Sequence, residues 1–138
     1  MIFVLINPAE LINILNCFEL SIPTITLSIY LLDKAYLKQI LKAYSPSNIM
    51  LITGKESYSD NGAKEKIEQY LSKYTYVRFC DFEKNPKYED VLSGLSIFRK
   101  NNCDLILAVG GGSVIDMGKN INAFQSSHDN NYIEFVRK

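Results

Sequence analysis

The stretch Leu105-Ile-Leu-Ala-Val-Gly-Gly-Gly-Ser-Val-Ile-Asp-Met-Gly-Lys119 decides the fold class of this chain. Its first five residues are all apolar, which is typical of a parallel strand buried on both faces between helices. Three glycines follow at once, and the residues from Ser113 onward predict a helix. A buried strand, a glycine turn and a helix in this order indicate one unit of a parallel α/β sheet, with the turn at the carboxyl end of the strand.

The same alternation of strands and helices continues upstream. Strands are predicted over 24–30, 48–53 and 77–80, and helices over 8–18, 32–44, 67–74 and 88–98. The polar residues 54–62 are predicted to form a loop. We therefore expect an α/β fold with a doubly wound, mostly parallel, Rossmann-like sheet and helices on both faces. Residues 1–138 are expected to form one domain, with residues 1–22 as a helical extension.

The composition fits one folded domain and excludes several classes of partner. The chain has 138 residues, 47% of them hydrophobic and 22% charged. Lys and Arg number 15, as do Asp and Glu, and a net charge of +0 argues against nucleic-acid or anionic-membrane partners. No apolar run reaches membrane-spanning length, and residues 1–6 are too short and lack the basic leader of a signal peptide. Three scattered cysteines favour a cytoplasmic location.

The glycine turn itself predicts a phosphate or pyrophosphate site. Glycines allow close approach of a ligand and positive φ, and the free N–H groups at a helix start favour an anion. The turn is neither a GxGxxG fingerprint, which would need glycine at Ile115, nor a P-loop, which would need glycine at Ser113. A purely structural alternative is a tight turn in which Ser113 and Asp116 form a capping box.

These residues resemble a known family. The sequence Gly110-Gly-Gly-Ser-x-x-Asp-x-x-Lys119 is similar to the signature of the iron-containing alcohol dehydrogenase superfamily. Residues 51–57, followed by Gly62, resemble that family's first nucleotide-binding strand, loop and helix. Residues 81–86 resemble its Asn-Pro turn, and residues 102–104 precede the buried strand as in the family. The resemblance covers the chain from about residue 23 onward.

The resemblance implies a two-domain oxidoreductase that transfers a hydride between NAD(P)H and a small aldehyde or alcohol. An amino-terminal α/β domain similar to that of dehydroquinate synthase binds the dinucleotide, and a helical domain holds iron or zinc through an Asp and several His residues. This sequence corresponds to the first domain, so the metal domain is expected to be absent and the chain alone inactive. The single His128 lies in a polar stretch and is expected to be solvated.

The resemblance also implies roles for the residues of the glycine turn. Gly110, Gly111 and Gly112 would face the pyrophosphate of the dinucleotide, and Ser113 would donate a further hydrogen bond to it. No residue of this chain is assigned a catalytic role.

Three further residues are expected at the cofactor, each with an alternative. Asp116 would brace the loop or reach toward the nicotinamide ribose, because a direct phosphate contact would be repulsive. Lys119 would lie toward the ribose or pair with Asp116 along the helix. Asn85 would border the cofactor or serve as an ordinary helix cap.

The loop after the first nucleotide strand bears on the choice of dinucleotide. An acidic residue there usually pairs with the adenosine ribose 2′-OH and repels a 2′-phosphate. This chain has Gly54, Lys55 and Ser57 instead, so space and a positive charge favour NADP(H) over NAD(H).

The sequence constrains the substrate and the oligomeric state less than it constrains the cofactor. Parts of the sequence resemble enzymes that reduce phosphonoacetaldehyde. The alternatives are a sugar-phosphate cyclase similar to dehydroquinate synthase, which Ser113 and Lys119 disfavour, and a stand-alone nucleotide-binding module. A homo-oligomer is expected, because an isolated domain would expose the apolar face that normally packs on its partner.

Overall fold

The computed structural model describes residues 2–6, 34–60 and 62–126. The strands are β1 (Ile2–Ile6), β2 (Asn48–Thr53), β3 (Thr75–Phe79) and β4 (Leu105–Val109). The helices are α1 (Lys34–Tyr44), α2 (Ser57–Asp60), α3 (Ala63–Leu71), α4 (Tyr88–Lys100) and α5 (Gly112–Ser126). The predicted helix 8–18, the predicted strand 24–30 and His128 lie outside the described residues.

The four strands form one sheet in the order β1-β4-β2-β3. Strands β2, β3 and β4 are mutually parallel, whereas β1 runs antiparallel to β4 at the edge. The chain passes from β2 to β3 on one side and then returns to place β4 on the other side of β2. This reversal is a topological switch point, and ligands of such sheets bind in the crevice at the carboxyl ends of the two diverging strands.

Helices cover both faces of the sheet, so the doubly wound architecture is confirmed. One core packs α4 and α5 on the sheet and contains Met50, Phe79, Leu95 and Ile121. The other core packs α1, α2 and α3 on the opposite face. Every residue of β4 is buried, as its apolar sequence predicts for a strand covered on both faces.

The structure corrects several element boundaries. Residues 2–6, assigned from sequence to a helical extension, form the edge strand β1. The predicted loop 54–62 contains the short helix α2. Strand β3 begins and ends earlier than predicted, at Thr75 and Phe79. In the described ranges no helix is long and apolar enough to cross a membrane.

The predicted cap of α4 is also corrected. The residue that precedes this helix is Lys87, and its backbone N–H donates to the Asp90 carboxylate at 3.0 Å. Asn85 therefore lies two residues before the cap. Its role as an ordinary helix cap is wrong, since the Asp90 side chain closes the first turn.

Asp104 fastens the start of β4 to the start of β2. Its carboxylate accepts the backbone N–H groups of Ser47 at 2.7 Å and Asn48 at 3.1 Å. Its own N–H donates to the Asn48 carbonyl at 3.0 Å, and its carbonyl accepts the Tyr44 hydroxyl at 3.0 Å. Hydrogen bonds to a charged group are stronger than neutral ones.

We expect Asp104→Ala to lower the free energy of unfolding by about 2 kcal/mol, because two backbone donors lose a charged acceptor. Urea unfolding followed by circular dichroism measures the change. Glu56→Ala removes the same charge from an exposed loop position and should change stability by less than about 0.5 kcal/mol. Equal effects of the two substitutions would show that Asp104 does not fasten the strands.

Candidate functional site

The loops after β2 and β4 lie side by side at the topological switch point. Thr53 and Val109 are paired in register at the ends of these two parallel strands. Gly54 and Gly110 follow directly, so the two predicted nucleotide loops begin at adjacent positions on the same sheet edge. The strand pairing thus brings together the two segments that the sequence analysis assigned to the cofactor.

The three glycines of the β4–α5 turn differ in what surrounds them. A Cβ on Gly110 would lie 2.7 Å from Val114 Cγ2, so packing against the helix requires glycine there. A Cβ on Gly111 or Gly112 would meet no atom of the described residues within 4 Å. None of the three has a positive φ, which among the described glycines occurs only at Gly62. The positive φ that glycine allows is therefore not used in this turn.

Helix α5 begins inside the glycine turn. The N–H groups of Val114 and Ile115 both donate to the Gly111 carbonyl, at 3.1 and 3.2 Å. The amides of Gly112 and Ser113 precede these first helical hydrogen bonds, and amides at such positions have no intrahelical acceptor. Such amides, at the positive end of a helix dipole, can bind an anion.

Ser113 lies within α5 rather than at its cap. Its hydroxyl donates to the backbone carbonyl of Lys84, which ties the start of α5 to the loop before α4. The capping-box alternative for Ser113 and Asp116 is therefore wrong, because Gly111 rather than Ser113 precedes the helix. A hydrogen bond from Ser113 to a phosphate would require its hydroxyl to leave Lys84.

A cleft of about 360 Å³ adjoins the first turns of α5. Asn85 and Pro86 line one wall, and Asp116, Lys119 and Asn120 line the other. Asp116 and Lys119 are exposed, as a polar ligand would require. The structure thus brings together Asn85, Asp116 and Lys119, the three residues predicted to lie beyond the glycines. It adds Asn120, which the sequence analysis did not select.

The β2–α2 loop carries the remaining predicted residues. Lys55 Nζ lies 2.7 Å from Asp81 Oδ1, and both side chains are exposed, at 59% and 90%. The hydrogen bond to Asp81 and its charge raise the pKa of the Lys55 ammonium, and Lys55 in turn lowers the pKa of Asp81. A Cβ on Gly54 would lie 2.4 Å from Ser57 Oγ. The space that glycine leaves at position 54 is therefore already taken by the Ser57 hydroxyl.

Arg78 on β3 holds this loop in place. Its Nε donates to Thr53 Oγ1 at 2.8 Å, and its Nη2 donates to the carbonyls of Gly54 at 3.0 Å and Lys55 at 3.3 Å. Its guanidinium lies 5.0 Å from the ring centre of Tyr58. A planar guanidinium with several donors is suited to fixing a loop in this way.

Arg78 and Asp81 are not among the site residues predicted from the sequence. An arginine inside the strand pattern of 75–79 is a usable signal, because a charge in a half-buried strand needs partners. No sequence signal pairs Asp81 with Lys55, since the two are 26 positions apart and only the pairing of β2 with β3 brings them together.

The described residues bring together no group of three or more His, Cys, Asp or Glu side chains that would hold a metal ion. Cys103 is 8% exposed, and burial raises the pKa of its thiol to about 11. The thiolate is the nucleophilic form, so Cys103 acts as an apolar core residue.

The fold and the glycine turn are those of a Rossmann-like α/β unit, and comparison identifies its family. The family model described as iron-containing alcohol dehydrogenase matches residues 33–138. The chain belongs to the iron-containing alcohol dehydrogenase family, which confirms the resemblance found in the sequence.

Individual similar proteins support this family assignment. NADH-dependent butanol dehydrogenase B of Clostridium acetobutylicum is 36% identical over 109 residues, covering 77% of this chain and 27% of the relative. NADP-dependent alcohol dehydrogenase 3 of Entamoeba histolytica is 33% identical over 75 residues, covering 54% and 19%. The crystal structure of a 1,3-propanediol oxidoreductase superposes with a TM-score of 0.60 at 28% identity, covering 71% and 26%. The chain spans about a quarter of the length of the first curated relatives it matches.

Proposed function

We propose that this chain binds NAD(P) at the crevice between the ends of β2 and β4. In the whole protein it would serve an oxidoreductase that transfers a hydride between NAD(P)H and a small aldehyde or alcohol. The observation that carries the proposal is the open space over Gly111 and Gly112 at the switch point of the sheet. Neither packing nor backbone conformation requires glycine at these two positions, whereas a pyrophosphate lying on the turn would.

The described residues fit a dinucleotide. The amides of Gly112 and Ser113 would bind the pyrophosphate beside Gly110 and Gly111, with the helix dipole favouring its charge. The bound dinucleotide would supply the hydride chemistry, and this chain would orient it.

The cleft next to the turn suits the nicotinamide half of the cofactor. We propose that Asp116 and Asn85 accept or donate hydrogen bonds at the nicotinamide ribose, and that Lys119 lies toward the same ribose. The described residues do not fit a divalent metal, because they bring together no set of side chains that would ligate iron or zinc.

The preference for NADP(H) also remains our proposal. Its support is the absence of an acidic residue at Gly54, together with the positive charge of Lys55 on the same loop and Ser57 beside it. The relatives named above include one NADH-dependent and one NADP-dependent enzyme, so the family itself allows either dinucleotide. We propose a small aldehyde, phosphonoacetaldehyde among the candidates, as the substrate of the whole protein. Homo-oligomerisation and a cytoplasmic location stay predictions of the sequence.

Dinucleotide binding by the chain tests the proposal directly. We expect NADPH and NADH each to bind with a measurable Kd in isothermal titration calorimetry, with NADPH the tighter ligand. ADP should compete with both, because it shares the diphosphate. Nicotinamide mononucleotide lacks that diphosphate and is the matched weak competitor. Absence of binding for both dinucleotides at millimolar concentration would contradict the proposed function.

A further inference from the structure

We propose that Asp81 is a specificity-determining residue that competes with the 2′-phosphate of NADPH for the Lys55 ammonium. This inference rests on the proposed function, because it concerns the adenosine end of the same dinucleotide site. It assigns a role to a residue that the sequence analysis did not select, and it makes the preference between NADPH and NADH adjustable at one position.

The geometry places both side chains where the adenosine ribose of a bound dinucleotide is expected. Lys55 lies two residues beyond Thr53, at the end of β2 and next to the switch point. Asp81 lies two residues beyond Phe79, at the end of the neighbouring strand β3. Their Nζ and Oδ1 atoms are 2.7 Å apart. The residue after the first nucleotide strand is the usual neighbour of the ribose 2′ position in such folds.

The backbone under Lys55 is fixed, whereas its side chain is not. Arg78 donates hydrogen bonds to the carbonyl oxygens of Gly54 and Lys55, and these bonds hold the loop backbone in place. The Lys55 and Asp81 side chains are exposed at 59% and 90%, so among the described residues an exposed ion pair is what holds the ammonium in its present place. Exposed ion pairs are weak, and a second anion can displace one partner at little cost.

The charge of Asp81 is expected to lower the affinity for NADPH. A 2′-phosphate carries more negative charge than a carboxylate, so it attracts Lys55 but is repelled by Asp81 beside it. Removing the Asp81 charge releases Lys55 and also removes the repulsion, and both effects favour NADPH. NADH has a neutral 2′-OH at this position and gains neither effect, although its other phosphates feel a small part of the change.

The test compares Asp81→Asn with Glu83→Gln, a matched variant that also removes one negative charge from the same loop. Glu83 pairs with Lys87 at 3.2 Å rather than with Lys55. Calorimetric titration of the chain with NADPH, NADH, 2′,5′-ADP and ADP gives the dissociation constants. We expect Asp81→Asn to tighten NADPH and 2′,5′-ADP by about fivefold, with less than about twofold change for NADH and ADP. Glu83→Gln should change all four by less than about twofold.

The outcomes separate the inference from the proposed function. An unchanged NADPH to NADH ratio in Asp81→Asn, or an equal change in Glu83→Gln, overturns the role of Asp81 while dinucleotide binding stands. Failure of the parent chain to bind any of the four ligands overturns the proposed function and this inference with it. In the double variant Lys55→Met/Asp81→Asn, the gain in NADPH affinity over Lys55→Met should fall below that in the parent chain. A gain as large as in the parent chain would overturn the competition for Lys55. Thermal unfolding of every variant verifies that each remains folded.

Discussion

Gly94→Ala is expected to lower the free energy of unfolding by about 2 kcal/mol. Gly94 lies on the buried face of α4, where this helix crosses α5 above the sheet. A Cβ there would lie 2.4 Å from Ile121 Cδ1 and 2.8 Å from Phe79 Cε1, and both neighbours are buried. Overpacking of this kind costs about 1–3 kcal/mol, and the better helix propensity of alanine offsets up to about 1 kcal/mol of it.

A double-mutant cycle identifies the cause of this loss. Ile121→Val removes the Cδ1 methyl that the new Cβ would meet, so Gly94→Ala should cost about 1 kcal/mol less in that background. Urea unfolding of the four proteins gives the coupling energy. Ser96→Ala, exposed on the same helix, should change stability by less than about 0.5 kcal/mol. Additive effects of Gly94→Ala and Ile121→Val would show that the close approach of the helices is not what requires glycine.

Gly112→Ala is expected to weaken dinucleotide binding by about tenfold or more while leaving the fold intact. Its Cβ would meet no atom within 4 Å in the part of the chain that the structure describes. Its φ is not positive, and alanine is a good residue in the first turn of a helix. The added methyl would occupy the space in which the pyrophosphate is proposed to lie. A tenfold loss corresponds to about 1.4 kcal/mol, a modest amount for displacing a ligand from helix amides.

Gly110, in the same turn, provides a contrast to Gly112. Gly110→Ala places its Cβ 2.7 Å from Val114 Cγ2, so it should lower both the unfolding free energy and the affinity. Val114→Ala should restore part of the stability in that background. Calorimetric titration and urea unfolding on the same samples separate the two effects. If Gly112→Ala bound NADPH as well as the parent chain, the open space over the turn would not be a phosphate site.

Strong local patterns predicted much of the fold. The order of elements from residue 34 onward was predicted from the buried run Leu105–Val109, the apolar helix faces and the Asn-Pro turn. The predicted boundaries lie within a few residues of those in the structure. These signals are local, because periodicity and breakers act within one element. The short helix Ser57–Asp60 was missed since four residues are too few to show a period.

Contacts between distant parts of the chain were not predictable. Residues 2–6 pair with residues 105–109, and nothing within five apolar residues specifies that partner or its antiparallel direction. Strand order likewise determines the ion pair of Lys55 with Asp81 and the hydrogen bonds of Arg78 to the β2–α2 loop. The glycine turn was located from sequence, whereas the difference between Gly110, which packing requires, and Gly112, which it does not, needed coordinates.

The strand order also implies a sequence of folding events. Among the described residues, β1 hydrogen-bonds only to β4, and its residues are separated from their partners by about a hundred positions. Within the described sheet, β1 therefore has no partner until residues 105–109 have joined β2. Such long-range pairing slows folding, because loop closure must precede the contacts that reward it. Until β1 pairs with it, β4 would present an unpaired apolar edge. Early folding intermediates of this chain should therefore be its most aggregation-prone species.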